Sequence, residues 1–384
     1  MHHAGTTGAL IEGIYEAGMD GSRWPAFMEK LGCSLKAGFG NLWLLDKTNW
    51  SFNHEDSGAV CAFSGLDAST VDRYKRHYAP LNVWLPNALD LAEGALTVSS
   101  SLYPDHRLKG TEFHDVFLRP NDLFYAVGSS VAKRGTTDVR MSFVRSERAG
   151  RYVPEELDLV QQLMPHLRNA VVLHRELYQT RALAASGMAA LELVPVGVIL
   201  LNSSGLLAHA NRRAHDLFAR TGTLRFGAGG TPQAAAPGAN AQLQRLIQDA
   251  VRTGAGNGLA HGGTLQLQGP GGRLQVLVTP LAAAIVFSEG AMAAIFCSDP
   301  DAAIGPLSKR LERMYGMTPA EALLTEALVA GKSLQEYAET RGVTMNTVRT
   351  QLKSATAKTG SRRQADLVRI VLTGPAIFDT AGPA

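Results

Sequence analysis

The sequence predicts an α+β protein in which two α/β sandwich domains, joined by a long helix, are followed by an all-α domain of four helices. Three observations predict it. Short apolar runs, divided by Gly- and Pro-rich turns, occur before residue 150 and again between 185 and 300. From 154 onward, apolar residues recur at a 3-4 spacing, the mark of a helical seam. After 317 the pattern is a series of capped helices. A chain of 384 residues suffices for two to three domains. The boundaries drawn are 1–153 and 185–300 for the sandwiches and 154–184 for the joining helix. A linker at 301–316 leads to the helical domain at 317–374, and 375–384 is a flexible tail.

In the first sandwich, Ala9, Leu10, Ile14 and Tyr15 share one helical face, and Trp24-Pro25 opens a second helix. Asn41 to Leu45 reads as a strand ended by Asp46. Ala126 to Val131 and Asp138 to Val144 read as two strands split by Lys133-Arg134-Gly135. Tyr74 to Leu85, and a helix near Leu102 to Leu118, fill the middle. Trp43, Tyr74, Tyr78 and Trp84 are candidate walls for a small apolar or aromatic molecule, because such pockets are aromatic with few charges. Plain core packing of the same four side chains is the alternative. The pattern resembles a GAF- or PAS-like sensor domain and, more loosely, the ligand domain of quorum-sensing LuxR-type proteins. That family has Asp-Pro after its Tyr pair, where this chain has Leu81-Asn82, which argues against a homoserine-lactone signal. Asp105, His106, His114 and Asp115 lack the tight spacing of a ligand pair, so neither metal nor other cofactor is expected.

The joining helix starts at Pro154-Glu155-Glu156. Leu157, Val160, Met164, Leu167 and Val171 form its seam, and Pro165 should kink it. Leu157, Met164, Leu167 and Val171 are the expected contacts between two copies.

In the second sandwich, Pro195 to Leu201 is a buried strand, Asn202-Ser203-Ser204-Gly205 a turn, and Leu206 to His209 a second strand. Asn211 caps a helix through Phe218. Leu243, Leu246, Ile247 and Val251 mark another helix. Thr264 to Gln268 and Leu274 to Val278 form a hairpin across Gly269-Pro270-Gly271-Gly272, and Ala291 to Cys297 supplies the last strand. The stretch VGVILLNSSGLLAHANRRAHDLF and this element order resemble a PAS domain. The Gly-, Ala- and Pro-rich segment Thr221 to Asn240 reads as a flexible loop, and His209, His215 and His261 as surface residues.

In the helical domain, Thr318 and Glu321 make one capping box, and Ser333 and Glu336 a second. Gly331 and Gly342 stand where a left-handed residue ends a helix. Thr344 caps a third helix, and the last runs from about Arg363 to Leu372. Two short helices across a tight Gly turn make a helix-turn-helix, whose second helix enters the major groove. From Val343 to Ile370, six basic residues stand against one acid, Asp366, a local charge of +5 beside +3 for the whole chain. A concentrated basic face is what phosphate contact needs. Ala330-Gly331-Lys332-Ser333 looks like the end of a phosphate-binding loop, but Glu326 stands where that motif needs Gly.

Residues 317–370 resemble the DNA-binding domain of LuxR-type (NarL/FixJ-like) transcription regulators. The matching residues include Thr318, Pro319, Glu321, Gly331, Ser333, Gly342, Thr344, Val348, Lys358 and Gly360. The resemblance implies that Arg349, Thr350 and Lys353 reach base edges and that Thr344, Thr347, Gln351 and Lys358 touch phosphates. It further implies that the last helix, with Leu367 and Ile370, pairs two subunits. Ala320, Leu323, Tyr337 and Gln351 depart from the family pattern, which leaves the operator sequence open.

No run of 18 apolar residues occurs, so no membrane span is expected. Cys33, Cys61 and Cys297 are odd in number and scattered, as reduced thiols in a cytoplasmic protein would be. The expected protein is a homodimeric, cytoplasmic transcription regulator with double-stranded DNA and a small signal molecule as partners. As an activator it would also meet RNA polymerase. An enzyme acting on a small molecule, or a scaffold, is the alternative, though the chain shows no nucleophile–base pair and no paired carboxylates in an apolar setting.

Overall fold

Two helices, α1 (His2–Met19) and α2 (Trp24–Ser34), lead into β1 (Phe39–Asp46) and the short strands β2 (Ser51–Phe52) and β3 (Ala62–Ser64). The computed structural model describes residues 2–46, 51–52, 61–88, 90–281, 290–302 and 306–378. Short helical pieces follow: α3 (Ala68–Arg73), α4 (Leu85–Ala88), then β4 (Leu96–Val98), α5 (Ser99–Leu102) and α6 (Asp105–Leu108). The hairpin β5 (Tyr125–Arg134) and β6 (Thr137–Arg145) completes an antiparallel sheet in the order β2-β1-β6-β5-β4, with β3 also on β1. The expected helix over Leu102 to Leu118 is absent. Two four-residue helices and a single turn at His114–Leu118 take its place, because Pro104 and Gly110 interrupt the run.

Side chains alternate across the sheet, so each face has its own core. Leu42, Leu44, Val139, Met141 and Phe143 meet α1 and α2 on one face. Phe39, Trp43 and Val144 join Tyr74, Trp84, Phe113 and Phe117 on the other. Gly40 pairs with Phe143, and a Cβ there would stand 2.5 Å from the Phe143 ring, so no larger residue fits.

The long helix α7 (Pro154–Glu192) outruns the predicted 184 by two turns and continues through Pro165. Its seam is not free. Val160, Leu163, Met164, Leu167, Ala170 and Val171 are buried in the first core with α1 and α2, and Leu157 packs against it. Met164, Leu167 and Val171 are therefore core residues of one chain and not contacts between copies, because a sheet face must be covered to be buried. The exposed apolar groups lie further along, at Val172, Leu173, Tyr178, Leu183 and Met188.

The chain divides into two compact units, Met1–Ala185 and Ser186–Ala384. The second holds two cores. One surrounds an antiparallel sheet built from β7 (Gly197–Leu201), β8 (Leu207–Ala210), β11 (Gly263–Gly269), β12 (Gly272–Pro280) and β13 (Ala293–Ser298), ordered β11-β12-β13-β7-β8. Helices α8 (Arg212–Thr221) and α9 (Pro237–Gly254) bury Ala214, Leu217, Leu243 and Ile247 against it. The segment Thr221 to Asn240 is not a flexible loop. It forms the ribbon β9 (Leu224–Phe226) and β10 (Pro232–Ala234), with Thr223, Leu224 and Ala234 buried, and then starts α9. Its Gly residues bend the ribbon, while two apolar side chains anchor it.

The other core belongs to α10 (Ser308–Tyr315), α11 (Pro319–Val329), α12 (Leu334–Arg341), α13 (Met345–Thr359) and α14 (Gln364–Thr373). The region is thus five-helical. The predicted linker contains α10, with Leu307 and Leu311 fully buried, and its residues 303–305 lie outside the described ones. The Glu326 carboxylate accepts from the Leu307 and Ser308 N–H groups, 2.6 Å each, and so caps α10 from another helix. Of the predicted tail, Pro375–Ile377 forms a turn with Ala376 buried, and 379–384 lie outside the described residues. No helix among the described residues is long and apolar enough to cross a membrane.

Candidate ligand cavity and nucleic-acid interface

A cavity of about 90 Å³ opens in the first unit between the β1–β6–β5 sheet and the short helices. Trp43, Tyr74 and Trp84 line it, as the sequence suggested; Tyr78 does not, and instead packs its ring behind Phe117 at 5.4 Å. Trp43 stacks on Tyr74, with centroids 5.5 Å apart, and Phe113 on Phe117 at 5.6 Å. Trp84 meets Phe113 edge-on at 5.7 Å. These walls come from α3–α4 and the 105–118 segment, brought over the sheet by burial of their own aromatic groups.

The polar lining is what sequence reading missed. Asn41, Asn82, Arg140, Ser129 and Ser142 face the same space. A signal was present: strand alternation puts Asp138, Arg140 and Ser142 on one face of an otherwise apolar run. Arg140 donates to the Ala88 carbonyl at 2.7 Å and lies 3.4 Å from the fully buried Asp138. Ser130 donates to Asp138 at 2.5 Å. Burial lowers the Arg140 pKa, and the neighbouring Asp138 charge opposes that shift. Asn82 donates to the Tyr74 hydroxyl at 2.8 Å, and burial pushes that phenol up to about 12. The Trp84 indole N–H is buried with no acceptor among the described residues, at a typical cost of about 1–3 kcal/mol. Lys75 lies 5.9 Å from the Trp43 ring centroid outside the lining, and burial lowers its pKa to about 8.

Strand β6 carries the cavity wall directly into the start of α7. Arg145, one residue past the lining Val144, is 1% exposed and donates to both Glu156 carboxylate oxygens at 2.9 and 3.0 Å. It also donates to the Gly150 carbonyl at 2.9 Å and stacks over Tyr152, 3.9 Å from the ring centroid. At its far end, α7 is held by Asn211. That amide donates to the Leu191 and Val196 carbonyls, 3.0 Å each, and accepts from the Val198 and Ala214 N–H groups. Glu192 accepts from the Arg212 N–H at 2.9 Å and stands 3.9 Å from His209. His209 is therefore half-buried, not a surface residue, and its Nε2 has no hydrogen-bond partner among the described residues. His215 and His261 are exposed.

The helix-turn-helix has α12 and α13 joined across Gly342, whose φ of 62° is costly for any residue with a Cβ. Both capping boxes are formed, and Thr344 caps α13 through Thr347. Tyr337, where the LuxR-type pattern has a branched aliphatic residue, is buried and donates its hydroxyl to the Ala320 carbonyl at 3.3 Å. Val348 and Ala355 anchor the inner face of α13. Arg349, Thr350 and Lys353 are exposed on its outer side; Arg349 and Lys353 stand one turn apart and form no ion pair among the described residues. Thr344 and Thr347 are exposed near the N-terminus of α13. Gln351 is only half-exposed, and its Oε1 is buried without a partner among the described residues.

Lys358 differs from the expectation. Its ammonium is held by Glu321 at 2.7 Å, which ties α13 to the capping box of α11. Burial raises the Glu321 pKa, but the Lys358 hydrogen bond and the Thr318 N–H outweigh it and hold the carboxyl at about 2. A carboxyl depressed below its ordinary 4.5 adds stability above that pH, which is lost as pH falls toward 2. Hydrogen-exchange protection in 319–329, taken relative to the intrinsic rate at each pH, should therefore fall from pH 4.5 downward, and Lys358→Met should flatten that dependence. An unchanged slope in Lys358→Met would show that the pair does not hold the helices together.

On α14, Leu367 is fully buried in its own domain and Ile370 half-buried, so Leu367 cannot face a partner. Val368 and Leu372 instead line an open groove with Gln364 and Arg369. Burial pushes the Cys61 thiol up to about 11 and that of Cys297 to about 12, which makes both poor thiolates.

No family model matches the chain, and no curated protein matches it. Among solved structures it is similar to the ligand-binding domain of VqsR from Pseudomonas aeruginosa, at 14% identity over 45% of this chain and 96% of that one, with a TM-score of 0.34. It is also similar to a VqmA–ligand–DNA complex of Vibrio cholera, at 18% identity over 50% and 88%, with a TM-score of 0.22. A third is the E. coli DhaR(N)–DhaL complex, at 14% over 75% and 86%, with a TM-score of 0.33. Likenesses this distant carry no argument about function.

Proposed function

We propose that this chain is a sequence-specific, DNA-binding transcription regulator whose activity follows a small molecule held in its first unit. In this reading the two sheet domains are GAF- and PAS-like sensor modules and residues 317–374 a LuxR-type head. One observation carries it: α13 follows a left-handed Gly turn and presents Arg349, Thr350 and Lys353 outward, with both cations unpaired among the described residues. Major-groove readers need that arrangement, whereas a packing helix would bury or pair those cations. The cavity lining holds no acid or imidazole among the described residues, which favours binding over catalysis. Homodimerisation, in this reading, uses the exposed apolar groups of α7 beyond Val171 and the α14 groove. Double-stranded DNA and a small apolar or aromatic signal are the partners, and an activator would add RNA polymerase.

Selection from a random duplex library at physiological salt tests it. The expected yield is an inverted repeat, matched to a two-fold dimer. On the selected site, Arg349→Ala or Lys353→Ala should each cost about 1–3 kcal/mol. On random DNA each should lose only its share of the salt-dependent term. Equal losses on both duplexes would remove base reading from these two residues, and recovery of no preferred sequence with or without signal would overturn the proposal.

A further inference from the structure

Resting on the homodimer of that reading, we infer that the exposed part of α7 pairs with the same segment of a second copy, parallel and in register, as a short two-stranded coil. Residues 178–190 are exposed without a break, thirteen in succession, and Leu183 is 76% exposed. A helical stretch of that length with no packed face is marginal in water. Leu173, Leu177, Thr180, Ala184, Gly187 and Leu191 recur at alternating spacings of four and three, the seam of a left-handed coil. This seam lies about a third of a turn round the helix from the buried Leu167, so the chain's own core leaves it free. A Cβ added at Gly187 would meet nothing within 4 Å.

The flanks of the seam decide the occupant and its direction. Glu176 stands just before the seam residue Leu177, and Arg181 just after Thr180. In a parallel pair in register, a residue on the first flank meets the second-flank residue five places further on in the other helix. Glu176 therefore meets Arg181 of the partner subunit, and two-fold symmetry makes that ion pair twice. One heptad on, Leu183 meets Met188 of the partner subunit, and both are exposed apolar groups of the single chain. An antiparallel pair instead brings like flanks together. One flank holds Asn169, Glu176, Leu183 and Ala190, the other His174, Arg181 and Met188, so no acid would face a cation. Within the chain, Glu176 and Arg181 are exposed and form no ion pair among the described residues. The residues three and four places from each carry no charge, so their own helix offers neither a counter-charge.

The test uses the full chain, without DNA, in sedimentation equilibrium at low salt. The unaltered protein should be a dimer. Glu176→Lys and Arg181→Glu should each weaken it about tenfold, because two attractive pairs become repulsive. The chain carrying both changes should regain the original affinity, since the reversed charges meet again only in the parallel register. A monomer at every concentration would overturn the proposal. So would a dimer indifferent to both single reversals, which another surface such as the α14 groove would then hold. Loss without recovery in the double variant would remove the register. A second measurement needs no charge change. With the exposed Cys33 replaced by Ser, Thr180→Cys should form a disulfide-linked dimer under mild oxidation, because identical seam positions face each other in this arrangement. Gln179→Cys, one residue off the seam, should not. Equal yields at the two positions would overturn the pairing. Because DNA is absent, these outcomes stand whether or not the helical domain reads a sequence.

Discussion

Arg145→Ala is expected to destabilise the first unit by about 3–5 kcal/mol, the usual cost of removing one partner from a buried ion pair. The loss is large because the guanidinium serves several groups at once. Glu156, whose side chain is 16% exposed in the intact pair, would be left without a counter-charge, and the Gly150 and Leu35 carbonyls would lose their donor. Glu156 also accepts from the Val153 N–H, so the first turn of α7 would loosen with it. Urea unfolding of the single variants and of Arg145→Met with Glu156→Met checks this. The double variant should recover part of the loss, since an apolar pair leaves no orphaned charge. A loss below about 1 kcal/mol for Arg145→Ala, or strictly additive single losses, would show that the pair does not anchor α7.

The second large effect is expected at Asn211, which is fully buried and makes four hydrogen bonds. Asn211→Ala should cost about 2–4 kcal/mol, because unpaired buried groups cost about 1–3 kcal/mol each. The Ala214 N–H can fall back on the Asn211 carbonyl, whereas the Leu191 and Val196 carbonyls lose the Asn211 donor. Asn211→Asp separates the roles. It keeps the cap on α8 but sets a carboxylate against the two carbonyls, so the end of α7 should be released while α8 persists. Hydrogen exchange across 186–194 should rise in both variants, and across 212–221 in Asn211→Ala alone. Unchanged exchange across 186–194 in Asn211→Asp would mean that Asn211 is only a helix cap.

The two sites differ in how much of each is legible along the chain. The helices of the helix-turn-helix follow from local rules: Thr318, Ser333 and Thr344 cap, Gly342 turns, and the polar face of α13 is set by helical period. These are contacts within four residues, so they are written in order along the chain. Lys358 escaped because its partner, Glu321, is 37 residues away. In the cavity, aromatic bulk marked Trp43, Tyr74 and Trp84, but Arg140 and Asn41 became lining only when two strands paired.

By itself the sequence determined the order of elements, the helix ends, the strand alternation and the basic face of α13, because each depends on neighbours in the chain. Tertiary structure decided the rest. It gave the seam of α7 to the chain's own sheet, since the apolar sheet face and the apolar helix stripe bury each other. Through Leu224 and Ala234 it turned a Gly-rich loop into a ribbon, and through the distant Glu326 it capped α10. It also left the Trp84 indole N–H buried with its hydrogen bond unmade among the described residues, which no spacing along the chain could disclose.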